Sequence, residues 1–209
     1  RPEMMAFVPD TAAVVLEVGC GSGAFAAQLK KARAEQGAPL EAWGVEMDEG
    51  AARQASAVMD RVLHGDVATV LPDLPAARFD CLVLNDVIEH VLEPGELLRS
   101  LRPLLKPGGH LVASIPNVRY FFNVVGLAVH GRWDYTDEGI LDRTHLRFFT
   151  RSSMCRLLAD FGYEVERTVG INATGSWKFR LVNLLSLGHW SEMKYLQVAS
   201  LARAARPEA

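Results

Sequence analysis

The sequence predicts an α/β domain built on a doubly wound, mostly parallel sheet, and three observations predict it. Short apolar runs alternate with helical patterns from Val14 to Asn117. The runs end in acids or amides: Glu17, Glu46, Asp66, Asn85 and Asn117. The first run breaks into Gly19-x-Gly21-x-Gly23 and resumes as a helix. In sheets of this kind ligands gather beyond the carboxyl ends of the strands, which is where these residues fall.

Val14-Val15-Leu16 suits a buried parallel strand. The three glycines after Glu17 let the backbone come close to a ligand, because no Cβ stands in the way. The helix near Ser22–Gln36 adds free N–H groups and a partial positive charge at its start. Gly37 and Pro39 mark a turn, and Ala42–Val45 is a second strand ending at Glu46. An acid roughly 20 residues after the glycines is placed to accept from both ribose hydroxyls of a nucleotide. The plainer reading of Glu46 is a solvated charge at a strand end.

Glu49–Asp60 has helical spacing, and Arg61–His64 is a third strand running into Gly65-Asp66-Val67. Asp66 can accept from an adenine amino group while Val67 packs beside the ring; His64 reads as structural. Asp80–Leu84 is nearly all apolar and therefore central, and it leads into Asn85-Asp86-Val87-Ile88-Glu89-His90. A helix over Glu96–Leu105 is closed by Lys106-Pro107-Gly108-Gly109, a helix stop and tight turn. His110–Ile115 is the fifth strand, ending at Pro116-Asn117. The glycine run alone leaves the nucleotide open, since Gly19-x-Gly21-x-x-Ala24 also fits the relaxed dinucleotide fingerprint.

Composition narrows the function. The chain has 209 residues, enough for one full core, and a net charge of −3, which gives no footprint for general nucleic-acid binding. No apolar run approaches the roughly 20 residues needed to span a bilayer, and nothing resembles a signal peptide. Three cysteines without metal-binding spacing read as reduced core thiols, so the expected location is cytoplasmic. The chain begins at Arg1 without methionine, which reads as a shortened or unordered start.

The segments LEVGCGSG, GVEMD, HGDV, LVLNDVIEHV and LKPGGHLVASIPN, in this order and spacing, resemble the class I S-adenosylmethionine-dependent methyltransferases. With IEHV, IPN and RTHLRFFT they are most similar to ubiquinone-biosynthesis-type O-methyltransferases and relatives in polysaccharide gene clusters. The resemblance implies one Rossmann-like methyltransferase domain over 1–209 with a seven-stranded sheet. It continues with a helix at Ser152–Phe161, a strand at Tyr163–Val169 and a last, antiparallel edge strand at Lys194–Ala202. The cofactor it implies is S-adenosylmethionine, released as S-adenosylhomocysteine. Glu17, Gly19, Gly21 and Gly23 would shape the amino-acid side of its pocket. Glu46 would hold the ribose, Met47, Asp66 and Val67 the adenine, and Asn85 the region near the sulfonium.

Residues 118–150 interrupt the alternation. The segment is rich in aromatic residues, Arg and His, and reads as a substrate lid over the ligand edge. The plainer reading is a packed helical excursion, with Val124, Val125, Leu127 and Val129 supplying core. Arg119, Arg132, Arg143 and Arg147 are candidates to meet an anionic group on the acceptor. Ile171–Ser191 is apolar enough for a membrane surface or dimer contact, and a helix packed between the last two strands is the commoner explanation.

His90 and His145 are the candidate catalytic bases, because imidazole titrates near working pH. A sharper reading joins Asp86, Glu89 and His90, spaced i, i+3, i+4 on one side of a helical turn. In ubiquinone-type and small-RNA 2′-O-methyltransferases a matching Glu-x-x-Glu-His and a later His hold a divalent metal. The resemblance thus offers Asp86, Glu89, His90 and His145 for Mg²⁺, Mn²⁺ or Zn²⁺. In the competing reading Glu89 pairs locally and His90 packs under the cofactor. The expected activity is methylation of a small-molecule or glycan-like acceptor at oxygen. The alternatives are an NAD-linked oxidoreductase and a non-catalytic binding module of the same fold.

Overall fold

Alternating faces of the strands build two cores around one sheet. In the computed structural model, which describes residues 2–205, Val14, Leu16 and Val18 of β1 (Val14–Val18) face one core and Val15 faces the other. The reading of an unordered start falls on Arg1 and lies outside the described residues. After β1 come α1 (Ala24–Glu35), β2 (Glu41–Glu46), α2 (Glu49–Ala55), β3 (Arg61–His64), α3 (Val67–Val70) and β4 (Phe79–Asn85). They are followed by α4 (Pro94–Leu101), β5 (Leu105–Pro116), α5 (Phe121–His130), α6 (Arg151–Asp160), β6 (Tyr163–Ala173), α7 (Trp177–Leu185) and β7 (Tyr195–Ala204). Short 3₁₀ turns lie at Pro2–Phe7, Leu71–Asp73, Ile88–His90, Arg102–Leu104 and Ser191–Lys194.

The seven strands run in the order β3-β2-β1-β4-β5-β7-β6. The first five are parallel, and β7 is antiparallel to both β5 and β6. The order reverses between β1 and β4, so a crevice opens outside the carboxyl ends of those strands.

Three expectations need correction. The last strand is antiparallel as expected but is not the edge: β7 lies between β5 and β6, and β6 takes the edge. The physical reason is written in the side chains. Val198, Ala199 and Ser200 of β7 are all buried, whereas β6 exposes Glu164 and Glu166, the charges that edge strands tolerate. Lys106–Gly109 is not a free turn between helix and strand. Pairing steps from Phe79–Leu105 to Cys81–His110, so these four residues bulge within β5. The second helix stops at Ala55 rather than Asp60, and Asp60 turns back to accept from the Ala42 amide at 2.8 Å.

Candidate active site

The loop after β1 is pinned to the tip of β2. The Gly19 and Cys20 amides both donate to the Val45 carbonyl, at 2.8 and 3.1 Å. Gly19 has φ +68°, and a Cβ there would lie 2.7 Å from a Val87 methyl, so close packing as well as conformation requires glycine. Gly21 (φ +54°) differs: a Cβ there would meet nothing within 4 Å, which leaves backbone facing open space. Glu46 ties the arrangement together, since Oε2 accepts from the Gly21 amide at 2.7 Å and Oε1 from the Asp48 amide at 2.9 Å.

A cavity of about 270 Å³ opens here, lined among others by Gly19, Glu46, Met47, Asp66, Val67 and His90. Residues assigned to a nucleotide cofactor from separate strand ends are thus brought to one space. Asp66 has a second task, because its Oδ1 caps α3 by accepting from the Ala68 amide at 2.8 Å. His64 Nε2 lies 3.1 Å from the Met47 carbonyl. Burial pushes the Cys20 thiol up to about 12, away from the reactive thiolate form.

Glu17 lies beneath this loop, 3% exposed. Burial pushes its carboxyl up to about 8, while the nearby Asn85 amide favours the charged form without reaching hydrogen-bonding geometry. Glu17 Oε2 and both polar atoms of the Asn85 side chain are buried without a hydrogen-bond partner. Buried polar atoms of that kind at strand tips fit a ligand that supplies donors and acceptors, as the amino-acid end of S-adenosylmethionine does. The raised value has a pH consequence. The folded protein keeps the proton between pH 4.5 and about 8 while the unfolded chain loses it. Glu17 therefore costs stability progressively as pH rises through that window, by up to about 1.4 kcal/mol per unit. Glu17→Gln is expected to flatten the slope of unfolding free energy between pH 5 and pH 8. An identical slope in denaturant titrations of both proteins would refute the buried neutral carboxyl.

A second cavity, of about 170 Å³, is lined by Asp86, Glu89, Ile140, His145 and Gln197 among others. Asp86 borders both cavities. In the wall between them Glu89, His90 and His145 present ligand atoms all within 4.8 Å of one another. Glu89 and His145 are buried, and His90 lines the first cavity. His145 Nδ1 lies 2.9 Å from the Ile140 carbonyl, a group that only accepts, so Nδ1 carries the hydrogen and Nε2 keeps a lone pair. His90 Nδ1 sits 3.3 Å from the Thr144 carbonyl and 3.2 Å from its hydroxyl, which itself donates to Asp142 at 2.6 Å. The same logic leaves His90 Nε2 as an acceptor. Holding one imidazole nitrogen by a carbonyl is how proteins aim the other at a metal or a proton.

Asp86 does not join that cluster. It has φ +55°, so it ends the strand in a left-handed conformation before the turn at Ile88–His90 begins, and the assumed helical spacing breaks there. Its Oδ1 instead accepts from Ser114 Oγ at 3.1 Å and from Gln197 Nε2 at 2.9 Å. Gln197 and Thr144 were not legible as site residues, although a buried glutamine inside the apolar run of β7 was a signal.

The 118–150 segment holds α5 and then an irregular stretch lying against the second cavity. Its end near the second cavity is fastened rather than loose. The Leu146 and Arg147 amides donate to the Glu89 carbonyl at 2.8 and 3.1 Å, which sets His145 beside Glu89. Three of its four arginines are already engaged: Arg119 with Glu192, Arg143 with Asp137, and Arg147 with Glu93 and the Leu92 carbonyl. An anionic acceptor would have to compete with those pairs.

Residues 2–168 match a family model described as a methyltransferase domain. A probable S-adenosylmethionine-dependent methyltransferase of Mycolicibacterium smegmatis is 33% identical over 159 residues, which cover 75% of this chain and 54% of that protein. A ubiquinone biosynthesis O-methyltransferase of Pseudomonas paraeruginosa is 29% identical over 169 residues, covering 75% and 67%. The crystal structure of a SAM-dependent methyltransferase from Archaeoglobus fulgidus superposes with a TM-score of 0.64 at 18% identity, covering 96% of this chain and 90% of that one. The chain spans about half the length of the first curated relatives it matches.

Proposed function

The chain belongs to the methyltransferase domain family that its residues 2–168 match, and from that premise we propose that it methylates a hydroxyl oxygen of a small or sugar-like acceptor with S-adenosylmethionine. The NAD-linked reading of the glycine run falls with that membership. The observation that carries the proposal is the wall between the two cavities. Gly19, Glu46 and Asp66 line one side, Gln197 and Ile140 the other, and Glu89, His90 and His145 stand between.

In this reading Glu46 accepts from the cofactor's ribose hydroxyls, Asp66 and Val67 meet the adenine, and Glu17 and Asn85 face the amino-acid end. Bound S-adenosylmethionine supplies a methyl group on a sulfonium, a good leaving group. The protein's work is then alignment and proton removal. The acceptor enters the second cavity with its hydroxyl toward His145. Nε2 of His145 takes the hydroxyl proton as the oxygen gains carbon, and the Ile140 carbonyl stabilises the imidazolium through Nδ1–H. The segment that carries His145 closes water out of that cavity.

The same side chains also fit a divalent cation, because two imidazoles and one carboxylate are a common donor set for catalytic zinc. Glu89, His90 and His145 would hold it, and it would supply a Lewis acid that lowers the acceptor hydroxyl's pKa. Asp86 is left out of that set by its left-handed backbone.

Methyl transfer to a panel of hydroxyl acceptors, read by mass spectrometry, tests the proposal. Product heavier by one methylene on oxygen is expected; methylation only at nitrogen or carbon overturns it. A variant tests the cofactor end separately. Glu46→Ala is expected to weaken S-adenosylmethionine binding by about 1–3 kcal/mol, since charge-assisted bonds to ribose and to the Gly21 amide go together. Unchanged affinity in calorimetry would remove Glu46 from the cofactor site.

A further inference from the structure

A third cavity lies at the opposite pole of the sheet from the crevice. The starts of β4 and β5 meet the end of β7 there, because β7 runs antiparallel and delivers its last residues to that side. The cavity measures about 470 Å³, a volume that suits a small molecule. Its apolar lining comes from Ala77, Pro103, Leu105, Pro107 and Ala204. Its charged lining is of one sign: Arg99, Arg102 and Lys106. Among the described residues that line it, none is acidic.

The walls are held by backbone. The Ala77 and Arg78 amides donate to the Pro103 and Leu104 carbonyls, at 2.9 and 3.0 Å. That pairing fastens the entry to β4 against the turn at Arg102–Leu104, and Ala77 sits in it at φ +50°. On another side Arg102 Nη2 donates to the Ala205 carbonyl at 2.5 Å. Lys106 opens the bulge of β5 and donates to Asp80 Oδ1 at 2.7 Å. The space is therefore preformed, which spares a ligand the cost of ordering it.

Charge selects the ligand. The chain as a whole carries −3, so three cations around one apolar space are a local feature. Arg99 pairs with Glu96 and lies over the Phe161 ring, and Lys106 pairs with Asp80; neither acid lines the cavity. Among the described residues no carboxylate pairs with Arg102. A guanidinium that gives one N–H to a carbonyl keeps others for a forked pair with a carboxylate or phosphate. An apolar body on that anion would cover the proline, leucine and alanine surface behind it.

We propose that this cavity binds a small organic anion, a carboxylate or phosphate monoester on an apolar body, with Arg102 as its principal partner. The site is independent of the methyl-transfer reading. The test is calorimetry on the full chain with three probes of one ring system: 2-naphthyl phosphate, 2-naphthoate and the uncharged 2-naphthalenemethanol. At least one anion is expected to bind about tenfold or more tightly than the alcohol, and to weaken as salt rises. The better of the two anions tells a phosphate ligand from a carboxylate. Arg102→Gln should weaken that anion by about tenfold or more, and Arg102→Lys, which keeps the charge without the fork, by less. Arg99→Gln should weaken it by a few-fold with an unchanged melting transition, because that side chain is exposed. Equal binding of the alcohol, no binding of either anion, or binding unchanged in Arg102→Gln and Arg99→Gln overturns the proposal. So does anion binding that appears only after removal of residues 206–209, which would make the chain's own continuation the occupant. S-adenosylhomocysteine affinity is expected to stay unchanged in all three variants, which keeps this result separate from that of the cofactor site.

Discussion

Replacing His145 by alanine is expected to lower turnover by about 10²–10⁴-fold, the usual value of a positioned proton acceptor, while cofactor affinity stays within a few-fold. The expectation follows from where the imidazole stands. His145 is buried, its Nδ1 is committed to the Ile140 carbonyl, and the residue lines the second cavity and not the one bounded by Gly19, Glu46 and Asp66. Its ring meets His90 edge-on, with centroids 4.8 Å apart. Turnover and S-adenosylhomocysteine affinity must be read on the same preparation, with circular dichroism confirming the fold. Near-normal activity, or affinity that falls as far as turnover, removes His145 from the acceptor side.

Metal removal separates the two uses of these side chains. If Glu89, His90 and His145, which converge within 4.8 Å, hold a cation in place of His145 acting as the base, dialysis against a chelator is expected to cut activity by about 10²-fold or more, and Zn²⁺ or Mn²⁺ to restore it. Glu89→Gln should reproduce the loss without rescue, because an amide offers a poorer ligand at the same volume. Asp86→Asn should not change metal content, since Asp86 is held by Ser114 and Gln197 outside the cluster. Full turnover in chelator would leave His145 as a base acting alone.

Much of this was legible in the sequence because single residues carried it. The apolar run of β4 demanded a central strand. The glycines demanded a loop whose backbone could come close to a ligand, and the strand-end acids Glu46 and Asp66 did meet in one cavity. What failed did so for physical reasons. Helical spacing was assumed from Asp86 onward, yet the left-handed turn at Asp86 comes before the first helical residue. The edge assignment of the last strand overlooked the charges of β6, which identify the strand that faces solvent on one side. Gln197 went unread because its importance lies in a contact made across 111 residues of sequence. Nor can composition show that Glu17 is held neutral, as that depends on what the fold stacks above it.

The central claim is that the crevice at the ends of β1, β2 and β4 holds S-adenosylmethionine, and calorimetry with S-adenosylhomocysteine, run beside NADH, tests it most directly. The account predicts a single site for S-adenosylhomocysteine, weakened in Glu46→Ala, and no heat from NADH. Binding of NADH in place of S-adenosylhomocysteine, or of neither, would contradict it.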